Sequence, residues 1–97
     1  MATVLVDRST SGTLAAGVVD TVQLGTPADT LQVFNKSASD PMYVRLDGID
    51  PVVGGDGSKY VPPGESRLFP TLDSTFPEIR LITAAVAGVA YIVERFP

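Results

Sequence analysis

Three carboxylates, Asp47, Asp50 and Asp56, crowd one glycine-rich stretch, and oxygen ligands on a pliant loop are what a calcium ion takes. Their spacing lacks the alternating acids and closing glutamate of an EF-hand loop. They read instead as turn formers whose side chains bond nearby backbone N–H groups, and no metal is expected. The adjoining Gly54-Gly55-Asp56-Gly57 run offers N–H groups for an anion, without the Lys-[Ser/Thr] pair and following helix of a phosphate loop. It reads as a loop shaped for close backbone approach. Glycoside hydrolysis needs paired carboxylates, but Glu65, Glu78 and Glu94 each stand alone in sequence and read as solvated surface. Serine and lysine nucleophiles have no neighbouring base. The sequence holds no cysteine and no histidine, which excludes disulfides, thiolate chemistry, Cys or His metal sites and imidazole catalysis. A non-enzyme without cofactor is the expectation.

A different grouping points to binding. Tyr43, Arg45 and Asp47 share one face of a strand, and with Tyr60, Arg67 and Tyr91 they could form a polar-aromatic surface of the kind interfaces favour. A mean hydropathy of +0.23 supports association, being high for a solitary small module.

The elements that must position these residues are strands. Residues 3–6 (TVLV) are β-branched and apolar, and the polar, small residues 7–12 after them read as loop, so residues 1–12 are a possible N-terminal arm. Such a strand pairs with its own sheet or with a neighbouring subunit, and sequence does not choose. Residues 18–24 (VVDTVQL) put Val18, Val22 and Leu24 on one face, with Asp20 as a misfit among them. Leu31 and Val33 alternate with Gln32 before a turn-rich stretch, 35–41. Met42, Val44 and Leu46 alternate with Tyr43, Arg45 and Asp47, the cleanest period-two signal in the chain. Residues 48–57 (GIDPVVGGDG) carry four glycines and a proline, which forbid a helix and predict a long ordered loop. Short strands follow at 59–61 and 66–69, on either side of a Pro62-Pro63-Gly64 turn.

Residues 78–83 alternate again. Beyond them Ile82, Val86, Val89 and Val93 fall at helical spacing, while 90–93 (AYIV) reads as strand; Gly88 and the β-branched content favour a hairpin turning near Ala87-Gly88. The prediction is one all-β domain over 1–97, a small β-sandwich or jelly-roll-like barrel of about seven to eight short antiparallel strands. Its core is expected to include Leu31, Val33, Val44, Leu46, Ile79, Leu81 and Ile92.

Seven basic residues against 11 acidic ones give a net charge of −4, the wrong sign for a nucleic-acid footprint. The N-terminus shows no cationic leader, and the longest apolar-rich run, 81–93, is shorter than the ~20 residues that span a bilayer. We expect a soluble protein made in the cytoplasm, with neither nucleic acid nor membrane as partner.

From Leu31 onward the chain resembles small structural proteins of tailed bacteriophages, chiefly those of actinobacteria. The residues that carry this are Asn35-Lys36-Ser37, the strand end Tyr43-Val44-Arg45-Leu46-Asp47-Gly48, the loop Asp50-Pro51-Val52-Val53-Gly54-Gly55-Asp56, the Tyr60-Val61 strand, the Pro63-Gly64 turn and the terminal run 78–94. The resemblance implies a β-sandwich virion protein, most naturally a capsid decoration protein on the outer surface of the particle. Its partners would be the major capsid protein and other copies of itself, a homotrimer being the form that fits a local three-fold position. The residues expected at such contacts are Thr3, Val4, Leu5 and Val6 on the terminal strand, Tyr43, Arg45 and Tyr60 on the polar-aromatic face, and Asp50, Pro51, Gly54 and Gly55 in the loop. Alternatives are a neck or tail component, or a carbohydrate- or ligand-binding module using Tyr43, Tyr60 and the acidic loop.

Overall fold

Nine strands make up the computed structural model, which describes residues 2–5, 9–24, 30–70 and 78–96, and apolar alternation marks most of them in the sequence. They are β1 (Ala2–Leu5), β2 (Ser9–Leu14), β3 (Asp20–Leu24), β4 (Thr30–Asn35), β5 (Met42–Arg45), β6 (Lys59–Val61), β7 (Ser66–Pro70), β8 (Glu78–Ile82) and β9 (Val89–Phe96). A five-stranded sheet runs β1-β3-β8-β5-β6 and a four-stranded sheet runs β2-β9-β4-β7. Successive strands alternate between the two sheets except β5 and β6, which pair with each other. Every ladder is antiparallel but one: β1 runs parallel to β3.

The inward residues of both sheets make one core, with Leu14, Val22, Leu31, Val33, Met42, Val44, Val61, Ile79, Leu81, Val89 and Val93 fully buried. Each such side chain contributes about 1.5–3 kcal/mol by leaving water. Two of the expected core residues stand elsewhere. Ile92 is half-buried on the outer side of β9, because the period-two alternation there puts its neighbours Tyr91 and Val93 inward. Leu46 lies just past the end of β5 and packs only partly against the core.

Four further expectations change. Residues 9–12, read as loop or arm, lie in β2, a full partner of β9; its serines and threonines carry little apolar signal, but they face outward or lie at the sheet edge. Gly12 serves the core by what it lacks, since a Cβ there would sit 2.7 Å from the Tyr91 hydroxyl. Residues 2–5 are not a free arm but an edge strand of the chain's own sheet. Val18 is 51% exposed and precedes β3. Finally, the chain does turn at Val86-Ala87, with the Gly88 N–H bonded to the Ala85 carbonyl at 2.9 Å, but no hairpin forms. β8 and β9 belong to different sheets, because Thr83 leaves β8 to bridge Ala16, and its buried hydroxyl donates to the Pro41 carbonyl at 2.9 Å.

The misfit Asp20 has a partner. It lies on the inward side of β3, where the Tyr91 hydroxyl, reaching across from the other sheet, donates to its carboxylate over a long 3.4 Å. Burial first, then the Asp20 charge and that bond, push the Tyr91 phenol up to about 12.

Candidate interaction surface

The outer side of the five-stranded sheet collects most of the side chains singled out above. Tyr43 stands opposite Tyr60 on one flank and Ile82 on the other, and the two tyrosine rings meet at 5.5 Å between centroids, tilted by 57°. One step along, Arg45 stands directly opposite Arg80. Like charges in that position destabilise a ladder, and here carboxylates relieve them. Arg45 donates to both oxygens of Asp47, through Nε at 3.0 Å and through Nη2. Arg80 donates to Glu78 through Nε at 3.0 Å and to Asp50 through Nη1 at 2.6 Å. The Arg45 bonds hold the Asp47 carboxyl down at about 2, and both guanidinium groups are raised by their carboxylates.

These arginines also brace the loop 46–58. Arg45 Nη1 donates to the Asp56 carbonyl at 2.9 Å, and it can do so because residue 57 is glycine. A Cβ at Gly57 would lie 2.5 Å from that Nη1, and its φ of +79° is one that side chains disfavour. Within the loop the Gly55 N–H bonds the Val52 carbonyl at 2.8 Å and the Val52 N–H bonds Ser58 Oγ at 3.0 Å. Pro51 is buried beneath it. The result is an anchored loop whose tip is apolar: Ile49 is 55% exposed, Val52 62% and Val53 39%.

The three loop aspartates are thus not gathered round one point. Asp47 and Asp50 serve different arginines, and among the described residues no group of three acids is placed to hold a metal ion. The Gly55 N–H turns into the loop, not toward an anion. Glu78 belongs to the Arg80 pair, Glu65 accepts the Asn35 N–H through its carbonyl, and Glu94 lies on the other sheet.

Of the residues expected at contacts, Tyr43, Arg45, Asp50, Gly54, Gly55 and Tyr60 share this side of the molecule, whereas Pro51 is buried. Arg67 sits at the edge, donating to the Tyr60 carbonyl at 3.0 Å with its guanidinium 5.3 Å from the Phe69 ring centre. Tyr91 is not on the polar-aromatic face, being only 2% exposed in the core. Thr3, Val4 and Leu5 lie in β1, and Val6 lies outside the described residues. Sequence reasoning placed the loop 48–57 at contacts, through Asp50, Pro51, Gly54 and Gly55, but missed its exposed apolar side chains Ile49, Val52 and Val53, and it missed Arg80. The tip had a signal: Val52-Val53 is an apolar pair inside a Gly/Pro/Asp segment with no strand to belong to.

Asn35 has a structural task. Fully buried, it donates to the Asp40 carbonyl at 2.9 Å and the Val61 carbonyl at 3.1 Å, and accepts the Ser37 N–H at 2.9 Å. It ties β4 to β6 and shapes the turn 36–41. The Asn35-Lys36-Ser37 tripeptide has the form of a glycan acceptor, but its amide is spent in these bonds.

No protein-family model matches this chain, and no curated protein does either. Among solved structures it is similar to a de novo designed double-stranded β-helix determined by solution NMR, at 21% identity and a TM-score of 0.63, with 91% of this chain and 97% of that chain covered. That likeness is one of fold. In this chain the strands alternate between two sheets, a jelly-roll-like arrangement.

Proposed function

We propose that this protein is a non-catalytic structural component of a tailed-phage particle, most naturally a capsid decoration protein that binds the assembled shell from outside. The observation that carries the reading is the loop 46–58: two arginines hold it in one shape, and it offers Ile49, Val52 and Val53 to a partner. Apolar side chains on a preorganised loop bind with little ordering cost. The resemblance of residues 31 onward to phage structural proteins supplies the partner, the major capsid protein. The turn 36–41 and the open edge of β1, which a neighbouring strand can extend, supply further contacts. Repetition over a lattice turns weak single contacts into firm attachment.

Purified shells, emptied of this protein and incubated with it, test the reading. The wild type should saturate them at hundreds of copies per particle, on the order expected of a lattice-wide site. A Val52→Asp, Val53→Asp double variant should keep its melting temperature, since both side chains are exposed, and lose about tenfold or more in affinity. Absence of binding by the wild type would sink the decoration reading, and saturation at a few tens of copies or fewer would move the protein to the neck or tail.

A further inference from the structure

We propose that the loop 46–58 docks into an apolar socket bordered by lysine or arginine side chains of a partner protein. The inference rests on the reading of this loop as the contact surface and adds the chemistry of what it contacts. Acidic and apolar residues take turns along the loop: Ile49 falls between Asp47 and Asp50, and Val52-Val53 falls between Asp50 and Asp56. All three aspartates are exposed, as are the three apolar residues.

Depth decides which charges a partner meets. The Arg45 side chain is 17% exposed against 48% for Asp47, and Arg80 is 28% exposed against 65% for Asp50. The cations lie beneath and the carboxylates above them. Asp50 gives Arg80 one oxygen, Oδ1, and Asp56 gives Arg45 its backbone carbonyl. Asp50 Oδ2 and the Asp56 carboxylate are thus left as acceptors for donors from outside. Two further cations stand near the loop without covering it. Lys59 lies opposite the buried Val44, which puts it on the other side of the sheet from Tyr43 and Tyr60, and Arg67 is engaged at the β6 edge with the Tyr60 carbonyl.

Charge then selects the occupant. An acidic surface, a second copy of this chain included, would meet repulsion from the three carboxylates and from a net charge of −4. A purely apolar surface would strip water from Asp50 and Asp56 and return nothing for it. A socket with a basic rim pairs those carboxylates while its floor takes Ile49, Val52 and Val53, an apolar centre within a polar border. Rim charges of this kind act chiefly on the rate of encounter and on the choice of partner.

Two variants that change the net charge equally on opposite sheets provide the test: Asp56→Lys in the loop and Glu94→Lys on the four-stranded sheet. Binding to purified shells is followed in time at about 0.05 M and about 0.5 M salt. At low salt Asp56→Lys should slow association by about tenfold with unchanged melting temperature, and Glu94→Lys by about twofold or less. The gap between them should close at high salt. A second arm needs no shell: on a resin carrying phenyl and quaternary ammonium groups, Asp56→Lys should lower retention more than Glu94→Lys does. Shells that bind no wild-type protein would sink the phage reading and leave the resin to decide this one. Binding that is lost in the Val52→Asp, Val53→Asp variant but indifferent to Asp56→Lys would keep the loop as the contact and overturn its basic border. Equal effects of the two lysine variants, or faster association of Asp56→Lys, overturn the proposal as well.

Discussion

The two outer faces of this sandwich differ in kind although the same alternation builds them. The face of the five-stranded sheet carries opposed arginines, Arg45 and Arg80, and is occupied by the ion pairs that neutralise them and by the loop those pairs hold. The face of the four-stranded sheet carries Phe34, Leu68 and Ile92, and among the described residues no loop is braced over it by arginine. Topology explains the asymmetry. Among the described strands β5 and β6 are the consecutive pair that shares one sheet, so their connection returns beside its own ladder. One face thus carries a braced loop and its ion pairs, and the other carries a small group of exposed apolar side chains.

The largest effect should come from a residue both faces depend on. Asn35→Ala removes the partner of two carbonyls and one N–H at the join between sheets, and should cost about 3 kcal/mol in chemical denaturation, both sheets unfolding together. Separate transitions would show that the faces belong to independent units. Next is the Tyr91 phenol, which also spans the sheets. Between pH 10 and 12 the unfolded chain has released this proton while the folded chain keeps it. Stability is therefore full below pH 10 and falls as pH rises toward the raised value of about 12, by about 1.4 kcal/mol per unit. Tyr91→Phe should remove that part of the alkaline slope; an identical slope in the variant would mean the hydroxyl is open to water.

Gly57→Ala should act on one face alone. The positive φ and the displaced Arg45 guanidinium should cost roughly 2 kcal/mol, with faster amide exchange through 46–58 and unchanged exchange in β4 and β9. Uniform acceleration would mean the loop is part of the global unfolding unit. The smallest effect belongs to Asp47. Its folded carboxyl titrates at about 2 against 3.8 when free, so it stabilises the fold above pH 4 and loses that contribution as pH falls toward 2. Solvent screening of a half-exposed side chain keeps this to a minor part of the acid limb. Asp47→Asn should flatten it slightly, and a steeper limb in the variant would contradict the Arg45 pairing.

Much of this was legible in the residues. Period-two alternation placed Leu31, Val33, Val44, Ile79 and Leu81 in the core, because burial on one side of a pleated strand leaves that trace in any sequence. Glycine and proline marked the loop 48–57 and the turn at Ala87-Gly88, since their backbone limits are local. Where alternation was weak the reading slipped: β2 is made of serine, threonine and glycine, and β9 is apolar on both sides, so Ile92 and Tyr91 exchanged places.

Composition and local chemistry by themselves determined an acidic all-β chain without cysteine or histidine, its strand-forming runs and the loop that no helix could accommodate. Tertiary structure alone decided that β8 and β9 part to different sheets, that Arg45 faces Arg80, that Asp50 lies within reach of a side chain 30 positions away, and that Asp20 meets Tyr91. The physical reason is that a strand's own residues say which side is buried, whereas its neighbours are chosen by how the whole chain closes its core, a condition no local window contains.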